Sequence, residues 1–414
     1  MEQTAETPAE RSPSDDRAPQ RSPRLPPGSS VARVLVPVLG VLGVMVGLHA
    51  YIGARLLHGS GLPAWAEGAG WVLLGLLFVS IPLSFWMRSV APASLAKPVQ
   101  AIAYGWLGSL GVLASAVLAT DLIRALYGLV TATPLPHQTV AKIQALGILV
   151  LVVPAVLWAF ASARGKAQVS RVRVPLVNLG AGMEGVRIAQ ISDLHVGEGA
   201  LDRRFLQRVV DQVNALKPDI IVITGDLVEG SVATTRGELE PLTELEAPLG
   251  VYFVTGNHEY YWGGPLWEAE VARLGVTVLH NAHKVVHRNG SALVVGGVTD
   301  FNGGHFGEEH ASRPDVAFAE APAGVPRVLL AHQPRSAEAA SRAGVDLQLS
   351  GHTHGGQIFP FNFFVKLQQP VVRGLKKLHG LWIYTHRGTG YWGPPMRLFA
   401  SPEIADITLV RGPG

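Results

Sequence analysis

Hydrophobic and polar positions divide the chain into three regimes. Residues 1–30 are rich in Pro, Ser, Glu and Arg, with Leu25 the only large apolar residue after Met1. Such a stretch buries too little surface to offset its ordering entropy and reads as a disordered tail. The apolar run behind it begins too late for a signal peptide and lacks the short cleavable shape. Four apolar stretches follow, at residues 34–54, 69–87, 101–120 (extending toward 130) and 143–163. A hydrocarbon core of ~30 Å needs about 20 helical residues, so each is long enough to span it. Gly59-Ser60-Gly61-Leu62-Pro63, Ala91-Pro92 with Lys97-Pro98, and Pro134-Leu135-Pro136 mark the turns between them. Pro37, Pro82 and Pro154 are tolerable kinks inside. His49, alone among polar groups deep in a span, reads as a packed or interfacial residue.

From residue 169 the period changes. Val172, Val174 and Leu176 alternate with Arg171, Arg173 and Pro175, which predicts a strand. Strand 186–191, helix 201–216, strand 219–223, helix 239–245 and strand 251–255 follow in turn. Later strands fall at 292–298, 327–330, 347–349, 382–384 and 404–410. Strands alternating with amphipathic helices predict an α/β domain with parallel pairing. The domains are therefore residues 1–30 (tail), 31–163 (four-helix membrane region) and 164–414 (soluble domain).

Charge sharpens the division. Residues 31–163 carry eight charged side chains, whereas 164–414 carry 24 bases and 24 acids. The sequence pI of about 9.2 thus comes from the apolar region, and nucleic-acid binding loses the basic face it usually needs. The chain has no cysteine, which excludes disulfides, thiolate nucleophiles and thiolate metal sites. Counting basic residues that flank the spans, Arg21, Arg24, Arg33, Arg88, Lys97, Arg164, Lys166, Arg171 and Arg173 lie on one side. Arg55, Arg124 and Lys142 lie on the other. The positive-inside rule puts the soluble domain in the cytoplasm, on a plasma or inner membrane.

Chemistry gathers just past the predicted strand ends. Ser192-Asp193-Leu194-His195, Gly225-Asp226, Gly256-Asn257-His258-Glu259, Ala331-His332 and Gly351-His352-Thr353-His354 close five strands. Ligand and catalytic groups in α/β sheets collect at carboxyl ends of strands, so five such ends point to one site. Asp, Asn and neutral imidazole are oxygen and nitrogen donors for borderline divalent cations. A carboxylate such as Asp226, held in a tight Gly turn, is placed to bridge two of them, and a two-cation pair clamps the oxygens of an in-line phosphoryl displacement. Taken singly, each residue has a plainer reading: Asp193 as a helix cap, Asn257 as a turn residue, a lone His as structural.

The ordered pattern Asp-x-His, Gly-Asp, Gly-Asn-His, His, Gly-His-x-His resembles the calcineurin-like metallophosphoesterases over about residues 185–410. That resemblance implies a four-layer αββα sandwich, here preceded by four transmembrane helices. It implies that Asp193, His195 and His354 hold one metal and that Asn257, His332 and His352 hold a second. Asp226 would bridge them, and His258 would act as outer acid on the leaving oxygen. Two divalent ions are implied, Mn²⁺ first, with Fe, Zn²⁺ or Mg²⁺ as alternatives. The second motif reads Gly225-Asp226-Leu227-Val228-Glu229-Gly230, without the Asp-Arg-Gly ending typical of protein Ser/Thr phosphatases, which argues against phosphoprotein substrates. Ile191 to His195, Gly351 to Gln357 and Gly388-Thr389-Gly390-Tyr391-Trp392 look like the membrane-associated bacterial branch. Some relatives there cleave the pyrophosphate of UDP-2,3-diacylglucosamine.

The expected partners are membrane lipids and a phosphoester or pyrophosphate substrate, with no nucleic acid. Phe359, Phe361, Phe363 and Phe364, followed by Lys366, Arg373, Lys376 and Lys377, suit an interfacial segment; a core strand with a charged turn fits as well. His280, His283 and His287 read as surface residues, while Asp300 and His305 are candidates for a loop facing the cleft. Two other functions remain open: a phosphatase on a soluble nucleotide or phosphoprotein, with the helices only as anchor, and a non-enzymatic receptor or scaffold. A transporter fits less well, since no span shows paired charges.

Overall fold

The computed structural model describes residues 31–58, 60–131 and 136–412, and the predicted tail lies outside them. Two compact units divide the chain, Met1–Gly47 and Leu48–Gly414. The described part of the first is the opening of helix α1 (Val31–Leu56), apolar from Val34 to Gly47. The second unit holds everything else. Its helices α2 (Ala64–Val90), α3 (Ala93–Val130) and α4 (His137–Arg164) complete four that are long and apolar enough to cross a membrane.

Helix α3 runs eight residues further back than the apolar pattern predicts, through Lys97-Pro98. Pro98 stands in its second turn, where a missing N–H costs few intrahelical bonds. The second unit also pairs charges that looked isolated in sequence. Asp121 on α3 lies 2.8 Å from Arg55 and 3.9 Å from Arg124, and accepts from Tyr51 and Gln144. His49 is buried and accepts from Trp106 Nε1 at 2.8 Å. Apart from Arg124, one turn along α3 from Asp121, these partners lie on different helices, 23 to 70 positions apart.

Two six-stranded sheets form the remainder. The strands are β1 (Gln168–Leu176), β2 (Arg187–Ile191), β3 (Ile220–Thr224), β4 (Val251–Val254), β5 (Thr277–Val278) and β6 (Ala282–Arg288). They continue with β7 (Ser291–Gly297), β8 (Arg327–Leu330), β9 (Leu347–Ser350), β10 (Gly374–Leu378), β11 (Leu381–Thr385) and β12 (Glu403–Arg411). One sheet runs β1-β12-β2-β3-β4-β5 and the other β10-β11-β9-β8-β7-β6. The β2-β3-β4-β5 and β7-β8-β9-β11 blocks are parallel, as alternation with helices predicts. Antiparallel pairs β12-β2, β6-β7 and β10-β11 break the rule where hairpins or the returning last strand join.

Strand side chains alternate faces, and here both faces are buried. Ile188, Ile220, Val222, Val254, Val295, Leu330 and Leu349 meet between the sheets. Ala189, Ile221, Ile223 and Phe253 face outward onto helix α5 (Arg203–Ala215) and Trp267. Val294, Leu329 and Ile383 face outward on the second sheet, against Phe318 and Ala340. The result is the expected helix–sheet–sheet–helix sandwich. The helix predicted at 239–245 is instead a 3₁₀ turn, Arg236–Glu244, carrying Pro241; Pro cannot donate the bond an α-helix needs there. A further apolar cluster packs Val112, Ile148 and Val152 of α3 and α4 against Ile358, Met396 and Leu398 of the domain.

Glu403 at the start of β12 ties the sandwich beneath the loops that follow β2 and β11. It accepts from Tyr384 Oη and from Arg387 N, both at 2.7 Å. Burial opposes its charge, but the positive field of His386 and Arg387 and the donated hydrogen bonds hold its pKa at about 2. A carboxyl depressed in the folded state stabilises above its unfolded pKa, about 4.5, and that contribution is lost as pH falls toward 2. Glu403→Gln should therefore cost roughly 2–3 kcal/mol at pH 7, and the gap from the parent should close between pH 4.5 and 2. Thermal unfolding across that range checks it; a gap that does not change with pH would assign the loss to shape rather than charge.

Candidate metal centre

The carboxyl ends of β2, β3, β4, β8 and β9 converge on one cleft. The backbone reaches it through sharp turns: Asp193 (φ 53°), His195 (48°), Asp226 (51°), His352 (67°) and His354 (49°) all adopt left-handed geometry. Non-glycine residues rarely do so, and such strain concentrates at functional sites. Gly225 (φ 85°) has no room for a side chain, since a Cβ would stand 2.7 Å from both Gly256 N and His332 Nδ1. Gly256 is equally confined, by Asp226 itself. These glycines let three strand ends meet.

Asp226 sits at the centre. Its Oδ2 lies 3.0 Å from His332 Nε2 and 4.0 Å from both His195 Nε2 and His258 Nε2, while Oδ1 accepts from His258 N. On one side, His195 Nε2 is 3.2 Å from His354 Nε2, which is 3.5 Å from Asp193 Oδ1. On the other, His332 Nε2 is 3.3 Å from His352 Nδ1. Donor atoms of Asp193, His195 and His354 fall within 4.8 Å of one another, as do those of Asp226, His332 and His352. A third such group joins His195, Asp226 and His258. All these residues are buried except His352, which is partly so.

The donor set fits a pair of divalent cations. Asp193 Oδ2 and Asn257 Oδ1 are buried without a hydrogen-bond partner, which is costly unless something positive occupies the space they face. Electrostatics agree. Burial alone would lower His332, yet Asp226 outweighs it and drives its pKa to about 10. Burial opposes the charge of Asp226, but His332 and His258 hold its carboxyl well below the usual range. Burial and the neighbouring His332 lower His352 to about 3, and burial also pulls His354 well below its ordinary value. His352 and His354 are thus held neutral, while a cation bound here would displace the proton that Asp226 keeps on His332.

The structure brings Asp193, His195, Asp226, His258, His332, His352 and His354 together, and Asn257 directly precedes His258 with its Oδ1 buried. Of the other candidates, Asp300 is buried and accepts from Gln333 Nε2 at 2.8 Å, behind the site, whereas His305 is exposed. His287 is exposed, while His280 and His283 are partly buried, against Glu268 and the Ala317 carbonyl.

Five contributors were given no role by sequence reasoning. Glu229, which marks the departure from the phosphatase motif, places Oε2 2.6 Å from His258 Nδ1, off the line of a good hydrogen bond, and 3.5 Å from His195 Nδ1. Burial raises Glu229, but the two imidazoles hold it at about 2. Burial lowers His258, and Asp226 and Glu229 reverse the effect to reach about 9. Glu259 accepts from the backbone N–H groups of Gly256, Asp226 and Leu227, fixing two ligand loops at once. Arg397 is fully buried, donates to the carbonyls of His354, Gly390 and Ala400, and sets His354 Nδ1 at 3.1 Å. Trp392 and Tyr261 wall His258, their ring centroids 5.7 and 5.1 Å away. Glu229 and Trp392 stood inside quoted motifs; Arg397 carried no local signal.

Known proteins resemble this chain in sequence. The family described as calcineurin-like phosphoesterase matches residues 186–356. A Caenorhabditis elegans protein named as a metallophosphoesterase is 38% identical over 255 residues, 58% of this chain and 51% of the relative. A Danio rerio transmembrane protein with metallophosphoesterase domain is 35% identical over 272 residues, 63% of this chain and 62% of the relative. An uncharacterized metallophosphoesterase of Aquifex aeolicus is 35% identical over 233 residues, 55% of this chain and 86% of the relative. The chain thus spans about half to three-fifths of the first two, and most of the third.

Two substitutions separate ligand from acid. Asp226→Asn should remove most bound metal and be the most damaging single change, because its carboxylate stands between the groups, 4.0 Å from His195 Nε2 and 3.0 Å from His332 Nε2. His258→Ala should keep its metal and lose roughly 10²–10⁴ in rate, the usual contribution of a general acid. Metal content by elemental analysis alongside turnover decides; metal loss in the His258 variant would make it a ligand.

Proposed function

The chain belongs to the calcineurin-like metallophosphoesterase family, and within it we propose a membrane-anchored, two-metal hydrolase of phosphoester or pyrophosphate bonds whose substrate is itself held at the bilayer. One observation carries this reading: oxygen and nitrogen donors from five strand ends meet around buried Asp226, leaving acceptors with no protein partner. Asp193, His195 and His354 would hold one cation and Asn257, His332 and His352 the other, with Asp226 between. The mixed donors favour Mn²⁺. Such a pair, when bound, supplies Lewis acidity that neutralises phosphate oxygens and makes water nucleophilic at neutral pH.

The chain's own residues set the rest. Thr224 O accepts from His332 Nδ1 at 2.7 Å, fixing which ring nitrogen faces Asp226. Glu229 anchors His258 Nδ1 and leaves Nε2 toward the cleft, where a proton can pass to a leaving oxygen. Trp392 and Tyr261 pack edge-on against the His258 ring and fix its plane.

Membrane placement supports the substrate class. Gly108 and Gly111 of α3 face Met396 and Phe361 so closely that a Cβ at either would lie 2.6–2.7 Å from them. Both glycines fall inside the span read from sequence at residues 101–120, so the rim of the domain would lie at bilayer depth. Beside it, helix Asn362–Gln368 buries none of its residues, and Phe361, Phe363, Phe364 and Leu367 are exposed. This favours an interfacial lip over a core strand. A pyrophosphate-linked glycolipid such as UDP-2,3-diacylglucosamine suits that setting, with the domain facing the cytoplasm of a plasma or inner membrane. A soluble nucleotide or phosphoprotein substrate would leave the exposed aromatic rim unexplained.

Hydrolysis of bis(p-nitrophenyl) phosphate should vanish with chelator and return with Mn²⁺. Replacing Phe361, Phe363 and Phe364 together with Ser should depress turnover of a lipid pyrophosphate while changing the soluble diester little. Equal losses on both would remove the lip. A tag at either terminus should be protected from external reagents in intact cells; labelling from outside would reverse the orientation.

A further inference from the structure

A cavity of about 520 Å³ opens where the helix ends meet the domain. Its walls combine the end of α2, the start of α3 and the end of α4 with the loops at residues 197–200 and 391–395. Three cations line it, one from each helix: Arg88, Lys97 and Arg164. Glu198 is the carboxylate on its wall, so the lining keeps a positive excess. The rest is largely apolar or aromatic, including Ala101, Tyr104 and Tyr391. The volume lies within the usual range of small-molecule sites.

Two of the cations have little to do within the protein. Lys97 forms no hydrogen bond or ion pair among the described residues, and Arg164 donates to the Phe160 carbonyl at 3.3 Å and lies over the Phe160 ring. Arg88 reaches from the cavity to the metal centre. It stacks on Trp262 and stands 3.8 Å from Glu229, the carboxylate that anchors His258. The loop bearing Glu198 begins two residues after His195, and the loop bearing Tyr391 continues into Trp392, which walls His258. Cavity and metal centre therefore share a partition. At the junction of apolar helices, a molecule can keep its hydrocarbon among α2, α3 and α4 while its anionic group meets the cations.

We infer that this cavity binds the phosphate-type anionic headgroup of a membrane amphiphile, seating it beside the metal centre. Resting on the hydrolase reading above, the inference deepens it: the substrate class becomes an anionic amphiphile that carries, besides the bond to be cut, a second negative group for Arg88, Lys97 and Arg164. A cation near an anionic lipid contributes about a fivefold gain in affinity, so removing two should weaken binding about 25-fold.

The test uses the full chain, loaded with Mn²⁺, in phosphatidylcholine nanodiscs. Titration calorimetry measures a dihexanoyl phosphonate analogue of phosphatidic acid, whose P–C bond resists hydrolysis, and inorganic phosphate alongside. Lys97→Gln with Arg164→Gln should weaken the phosphonate lipid about 25-fold and inorganic phosphate by less than about threefold. The two single variants, at about fivefold each, give the same reading should the double variant prove unstable. Lys142→Gln, on the opposite side of the helices, should change neither. Unaltered lipid affinity in the double variant overturns the site. A lipid that binds no tighter than inorganic phosphate, with equal loss of both, overturns the amphiphile and leaves a free-phosphate site. Binding needs no turnover: a parent that fails to hydrolyse bis(p-nitrophenyl) phosphate sinks the hydrolase reading, while the calorimetry still scores the cavity.

Discussion

The cost of burying Asp226 and Asp193 governs this molecule. Both carboxylates are withdrawn from water, and a buried charge without compensation is strongly unfavourable. Compensation comes from strand ends that would otherwise have no reason to meet. His332 and His258 approach Asp226, the His352 N–H donates to Asp193 Oδ1 at 2.9 Å, and the His258 N–H donates to Asp226 Oδ1 at 2.9 Å. The left-handed turns at Asp193, His195, Asp226, His352 and His354 are the conformational cost of that convergence. Backbone strain of this kind concentrates at functional sites, and here it aligns donor groups that could hold metal ions.

A second layer makes the first rigid. Glu259 collects backbone N–H groups from two ligand loops, and Arg397 collects carbonyls from three segments. Neither need touch substrate. Both hold neighbouring donors in fixed relation, and metal sites depend on such outer partners for orientation. Glu403 serves the same end further out, since its carbonyl accepts from Thr389 Oγ1 while Thr389 N donates to Ser192 O. The chain of support thus runs from the start of β12 to the loop that bears Asp193.

The helices contribute more than attachment. Within the second unit, α3 and α4 pack on Ile358, Met396 and Leu398, so catalytic domain and membrane helices share an apolar cluster. Arg88, at the end of α2, extends that union to Glu229 and hence to His258. The helices and the donor cluster are thus joined through packed side chains rather than through a linker alone.

Sequence alone determined whatever is written locally. Span positions follow from runs of about 20 apolar residues, and most strands follow from two-residue alternation. The ligand types are legible because each motif packs its donors into a few consecutive residues after a strand. What tertiary structure decided lies between distant positions. Helix α3 extends through Lys97-Pro98 because packing overrides a local breaker, and residues 239–245 tighten to a 3₁₀ turn around Pro241. Antiparallel β12 beside β2, Asp121 beside Arg55, Arg397 beneath His354 and the cationic cavity all join residues tens to hundreds of positions apart. Such contacts obey no period along the chain. They exist only once burial of two sheets and three helices has brought the segments together.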